Sequence, residues 1–138
     1  MTATAKTSST TLPVKFARFW TLIKPLQTGL LLATGVAGYM SAHAKVSIPL
    51  LLVMSASLFL SISGSTIMNM WHDHDIDAKM KRTQKRPAAS GELTRAEVFN
   101  VGMAVTVLGV GWAVAIDPLY GLVVFAGWFF DVVVYTLW

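Results

Sequence analysis

Residues 48–70 contain no charged side chain. Coiled as an α-helix, at 1.5 Å rise per residue, such a run crosses the ~30 Å hydrocarbon core of a bilayer. Two further uncharged runs, 25–42 and 98–116, lie on either side of it, and a fourth apolar run, 119–138, is interrupted only by Asp131. Within lipid a backbone must satisfy its own hydrogen bonds, and continuous apolar segments of this length do so as helices. The expected fold is therefore all-α, a polytopic membrane helix bundle with four transmembrane helices. Composition agrees: 13% of residues are charged, about half the ~25% of a soluble domain. With no cysteine in the chain, disulfides and thiolate metal sites are excluded.

Local signals place the helix ends. Pro25 suits a first turn, where its missing N–H costs nothing. Thr94 and Glu97 have the spacing of a capping box, which predicts a helix start there. Asp117 and Pro118 form a break before the last span. Gly29, Gly35 and Gly38 are expected at close helix contacts in the first span. Residues 1–24 read as a polar and basic N-terminal segment, and residues 1–12 lack the apolar core of a cleavable signal peptide. No charged flank follows Trp138, so the chain is read as part of a larger protein.

Basic residues set the orientation. Lys6, Lys15, Arg18 and Lys24 precede the first span, and Lys79, Lys81, Arg82, Lys85, Arg86 and Arg95 separate the second from the third. The alternate loops hold only Lys45. The positive-inside rule assigns the rich segments to the cytoplasmic face. A bacterial inner membrane is preferred to a mitochondrial one, and no nucleic-acid partner is expected.

The chemistry concentrates at the end of the second span. Asn69, Asp73 and Asp77 are four residues apart, so on a helix they stack along one stripe with a drift of roughly 40° per step. Ser57, Ser61 and Ser65 extend the same spacing backward, a polar stripe that should face the bundle or a cavity. Two carboxylates and an amide form a hard-oxygen site suited to Mg²⁺, which keeps its other positions for water and phosphate oxygens. Lys79, Arg82, Lys85 and Arg86 follow and could hold the anion that such a metal bridges. The combination reads as a diphosphate site at a membrane face. His72 and His74 point about 200° apart on a helix and read as polar anchors. Asp75 falls off the stripe and is expected to pair with a nearby lysine or arginine. Asp131, well inside the last span, is expected to be protonated or paired with a helix outside this chain.

Asn69-x-x-x-Asp73-x-x-x-Asp77, followed by Arg82-Thr83-x-x-Arg86-Pro87-x-x-x-Gly91, resembles the first aspartate-rich motif of the UbiA superfamily of intramembrane prenyltransferases. Trp71, Asp75-Ile76-Asp77, Met80 and Lys81-Arg82-Thr83 most resemble its haem-farnesylating branch, as do Lys24-Pro25 and Val134-Tyr135-Thr136-Leu137-Trp138. The resemblance implies a fold of roughly nine spans, of which residues 25–138 would be the N-terminal part, the remaining half supplying a second aspartate motif. It implies Mg²⁺ bound by Asp73 and Asp77, Asn69 orienting the diphosphate, and phosphate contacts from Lys79, Arg82, Lys85 and Arg86. The implied reaction moves a farnesyl group from farnesyl diphosphate to a vinyl side chain of haem B. Leu26, His72, His74 and Asp131 depart from the family pattern. Two other readings compete. One is a UbiA-type enzyme acting on a quinone or chlorophyll precursor. The other is a transporter half or non-catalytic membrane subunit, although a transporter would place its ion ligands near the midplane.

Overall fold

A computed structural model describes residues 12–42 and 44–136. Helix α1 (Leu12–Leu22) leads into α2 (Pro25–Ala42), and α3 (Ile48–His72) is followed by the short α4 (His74–Lys79). After a loop come α5 (Arg95–Ile116) and α6 (Pro118–Phe129), which continues as a π-helical segment, Phe130–Thr136. The described residues contain no strand. Three helical stretches, Ile48–His72, Arg95–Ile116 and Pro118–Thr136, are long and apolar enough to cross a membrane. Helix α2 has the expected bounds but falls short of that apolarity, so four crossings reduce to three on these criteria. Gln27, Thr28, Thr34 and Ser41, with three glycines, dilute its leucines.

The helix ends follow their local chemistry. Thr94 accepts from the Glu97 backbone N–H at 3.2 Å, and the Glu97 carboxylate accepts from the Thr94 N–H at 2.9 Å, closing the capping box. Asp117 ends α5 and caps α6, its Oδ1 accepting from the Tyr120 N–H at 2.8 Å. Helix α1 lies inside the segment read from sequence as merely polar and basic. It buries Leu22 completely and joins a cluster with Ile67 and Met70 of α3, Ala88 and Leu93 of the loop, and Val98 of α5. This apolar plug holds the charged loop against the bundle end.

Helix α3 is the central element, and its second half is nearly all buried. Its closest neighbour is α5, and small residues let the two backbones meet. A Cβ on Gly64 would lie 2.3 Å from Thr106 Oγ1 and 2.8 Å from the Thr106 nitrogen, and one on Gly109 would lie 2.5 Å from the Ser61 nitrogen. Van der Waals contact and backbone proximity, rather than the hydrophobic effect, drive such association in lipid. The glycines of α2 behave otherwise: Gly29 and Gly38 face open space, and Gly35 meets only the Leu58 side chain. Their expected role in close packing does not hold, because the tight seam is α3 against α5. Gly109→Ala must push two backbones apart, at an expected cost of about 2 kcal/mol. Thermal unfolding in detergent should show the loss, and Gly29→Ala, with nothing nearby, should be silent.

Candidate functional site

The serine stripe of α3 faces the bundle, as expected, with Ser57 and Ser65 reaching the last helix and Ser61 packed beside Gly109 of α5. Ser57 Oγ donates to the Met54 carbonyl at 2.9 Å and lies 3.1 Å from Tyr120 Oη. Ser61 donates to the Ser57 carbonyl at 3.1 Å, and Ser65 donates to Asp131 Oδ2. One turn on, Asn69 Nδ2 donates to the same Asp131 oxygen at 3.2 Å, and Asn69 Oδ1 accepts from Thr136 Oγ1 at 2.6 Å. Asp131 is therefore hydrogen-bonded within this chain, to Ser65 and Asn69. Between α2, α3 and α6 lies a chamber of about 560 Å³, lined mainly by apolar side chains such as Leu31, Leu58 and Val123. Its polar end is formed by Lys24, Asn69 and Asp131.

Helix α3 stops at His72, yet the one-turn spacing survives the joint. The Asp73 N–H donates to the Asn69 carbonyl at 2.9 Å, and the Asp77 N–H donates to the Asp73 carbonyl at 2.8 Å. The two carboxylates differ in setting. The Asp73 side chain is 49% exposed, with His72 Nδ1 at 3.3 Å. Asp77 is 7% exposed, and Arg86 Nη1 donates to its Oδ2 at 2.7 Å. Thr83, fully within the loop interior, donates to the Asp77 carbonyl at 3.0 Å. Among the described residues no cluster of three or more acidic, histidine or cysteine ligands forms. Two hard carboxylates, one accessible and one whose Oδ1 has no hydrogen-bond partner among the described residues, fit Mg²⁺, which retains water and phosphate oxygens in its remaining positions.

The predicted basic set divides. Arg82, Lys85 and Arg86 line a second cleft of about 520 Å³ beside Arg18, Glu92, Leu22 and Met70. Asn69 and Met70 are consecutive, so the end of α3 separates chamber from cleft. Arg86 couples the cleft to Asp77, whereas Lys79 lines neither cavity and is exposed.

Lys24 is the site residue that sequence reading missed. It joins α1 to α2 with φ 51°, a left-handed conformation uncommon outside glycine. Burial pushes its ammonium below the ordinary lysine value, as does Arg86, while Asp77, Asp73 and Asp131 oppose the shift. Of the three acids whose charge reaches Lys24, Asp131 lines the chamber with it, whereas Asp73 and Asp77 follow beyond Asn69 and line neither cavity. The only trace of this lysine's place in the sequence is a cation preceding Pro25. Outside the chamber, Asp75 pairs with Arg95 at 3.4 Å and with His74 at 3.3 Å. The His74 hydrogen bond, then Arg95, hold its carboxyl below the usual range. The two histidines each turn to the adjacent acid, as polar anchors do.

Residues 6–138 match the UbiA prenyltransferase family, to which this chain belongs. A Korarchaeum cryptofilum protein named protoheme IX farnesyltransferase is 40% identical over 91% of this chain and 42% of its own length. Proteins of the same name from Archaeoglobus fulgidus and Erythrobacter litoralis are 44% and 32% identical, over 83% and 98% of this chain and 40% and 44% of theirs. The chain thus spans about two-fifths of the length of the curated relatives it matches. No solved structure gives a significant match.

Proposed function

We propose that this chain carries the diphosphate-binding part of an enzyme that transfers a farnesyl group from farnesyl diphosphate to a vinyl side chain of haem B. The observation that supports the reading is an apolar chamber whose polar end holds Lys24, Asn69 and Asp131, with Asp73 and Asp77 following Asn69 at one-turn spacing. Residues 1–24 form an N-terminal segment and residues 25–138 the first part of the catalytic domain, whose other half supplies the second acidic motif. The basic segments, and with them Asp73 and Asp77, face the cytoplasm of a bacterial inner membrane.

The chemistry follows from the residues. The apolar wall takes the isoprenoid chain, and the polar end takes its diphosphate. Mg²⁺ held by Asp73 and Asp77 would supply positive charge against the diphosphate as the carbon–oxygen bond breaks. Lys24 adds a fixed cation, partly desolvated, where that negative charge grows. Asn69 orients the bound group, and Arg86 holds Asp77 in place. Lys79, Arg82, Lys85 and Arg86 together raise the local potential that draws the anion to this face. The electron pair leaves with the diphosphate, the vinyl π electrons close the new carbon–carbon bond, and the cation this leaves on the vinyl carbon next to the porphyrin ring is discharged by water, which adds there and gives up a proton. Membranes containing the intact protein, given labelled farnesyl diphosphate and haem B, should form a farnesylated haem in a Mg²⁺-dependent manner. Transfer to a quinone or chlorophyll precursor instead would keep the enzyme class and replace the acceptor.

A further inference from the structure

Asp131 is part of the chamber's polar end. The backbone puts it there. The Phe130 N–H reaches back to the carbonyls of both Ala126 and Gly127, and from that point the helix is π-wound to Thr136. In an α-helix five residues advance 500°, leaving Asp131 and Thr136 about 140° apart, whereas i→i+5 winding brings them towards one face. Both accordingly reach Asn69: Asp131 accepts from its Nδ2 at 3.2 Å and Thr136 donates to its Oδ1 at 2.6 Å. Thr136 Oγ1 also donates to the Asp131 carbonyl at 2.9 Å, tying the segment to itself. Ser65 and Asn69 both donate to Oδ2, so that oxygen acts as an acceptor twice over. Among the described residues Oδ1 has no hydrogen-bond partner.

An acidic side chain within a membrane span is costly to keep, and π-turns gather at functional sites. We propose that Asp131 is a catalytic residue of the chamber: it fixes the Asn69 amide through Oδ2 and offers Oδ1 to the allylic carbon as that carbon becomes cationic. This rests on the allylic-diphosphate reading above. The electron balance is that of simple heterolysis: the C–O pair departs with the diphosphate, carbon is left one pair short, and the carboxylate stabilises it through space without forming a bond. Lys24 and the basic residues stabilise the leaving anion, and Asp131 the opposite charge. A neutral side chain at 131 would leave the chamber without an acidic group, the rest of its lining being apolar, aromatic, hydroxyl or amide apart from the Lys24 cation.

Asp131→Asn isolates the charge, because the amide oxygen still accepts from Ser65 and Asn69. Turnover of farnesyl diphosphate by the unaltered protein in membranes is measured first; its absence would remove the parent reading and this proposal together. With turnover present, kcat of Asp131→Asn should fall on the order of 10- to 100-fold, with KM for the diphosphate within about twofold of the parent value, since ground-state binding loses nothing. Asp131→Glu keeps the charge and should recover part of that kcat, and it serves as the test if Asp131→Asn fails to insert. A kcat for Asp131→Asn within twofold of the parent overturns the proposal while leaving the parent reading in force. So does Asp131→Glu falling as far as the amide, or a loss carried by KM alone.

Discussion

Asp73→Asn in the intact protein is expected to lower farnesyl transfer at least ~10³-fold while leaving insertion and folding unchanged. Two observations separate these effects. The Asp73 carboxylate is about half exposed, and His72 is its one side-chain contact among the described residues. An exposed pair of that kind is worth no more than about 1 kcal/mol, so its loss leaves the fold in place. The same carboxylate is the accessible half of the pair that fits Mg²⁺, and an amide is a poor substitute for an anionic ligand. Turnover assayed beside detergent melting should show activity collapsing while the melting temperature moves by only a few degrees. Turnover near the parent rate would remove Asp73 from the mechanism.

Arg86→Met is the complementary case, in which stability and activity fall together. Asp77 is almost wholly enclosed, and Arg86 meets it at 2.7 Å. Removing one partner of such a pair strands a charge, at about 3 kcal/mol. Replacing both, as Arg86→Met with Asp77→Leu, removes the stranded charge and should restore most of the stability but none of the activity. Unfolding in denaturing detergent distinguishes the two variants. If the single variant is as stable as the parent, the ion pair does not hold the loop, and its place in the account is lost.

Much of this was legible in the chain because it is local. The helix starts at Pro25 and Arg95 and the break at Asp117 follow from capping and proline chemistry within a few residues. The serine stripe and its continuation through Asn69 follow from helical periodicity, and the backbone bonds Asp73→Asn69 and Asp77→Asp73 preserve that register across the joint. That Asp75 pairs with a basic residue was equally plain, since the acid falls off the stripe and cations are near, although only the fold selects Arg95.

What escaped was non-local. Arg82 and Lys85 sit in a cleft apart from the chamber because Ala88 and Leu93 seat the loop against α1, a contact that no spacing encodes. Lys24 looks like a membrane flank until α2 and α3 bring it into the field of three acids. The π-turn after Phe129 has no composition of its own: the slip in hydrogen bonding that aims Asp131 at Ser65 and Asn69 is visible only once α3 is beside it. The glycines of α2 misled because small residues signal close packing only where a second backbone is opposite.

The central claim is that the carboxylates of Asp73 and Asp77, one and two turns beyond Asn69, hold the metal and diphosphate of an isoprenoid donor. It is tested most directly by a structure of the intact protein with Mn²⁺ and a non-cleavable thio analogue of farnesyl diphosphate, the metal located by anomalous scattering. The account predicts a metal peak shared by Asp73 and Asp77, the diphosphate beside Asn69 and Lys24, and the isoprenoid chain along the serine-bearing face of α3. A metal and diphosphate lodged instead among Arg18, Arg82 and Lys85, with the chamber empty, would contradict it.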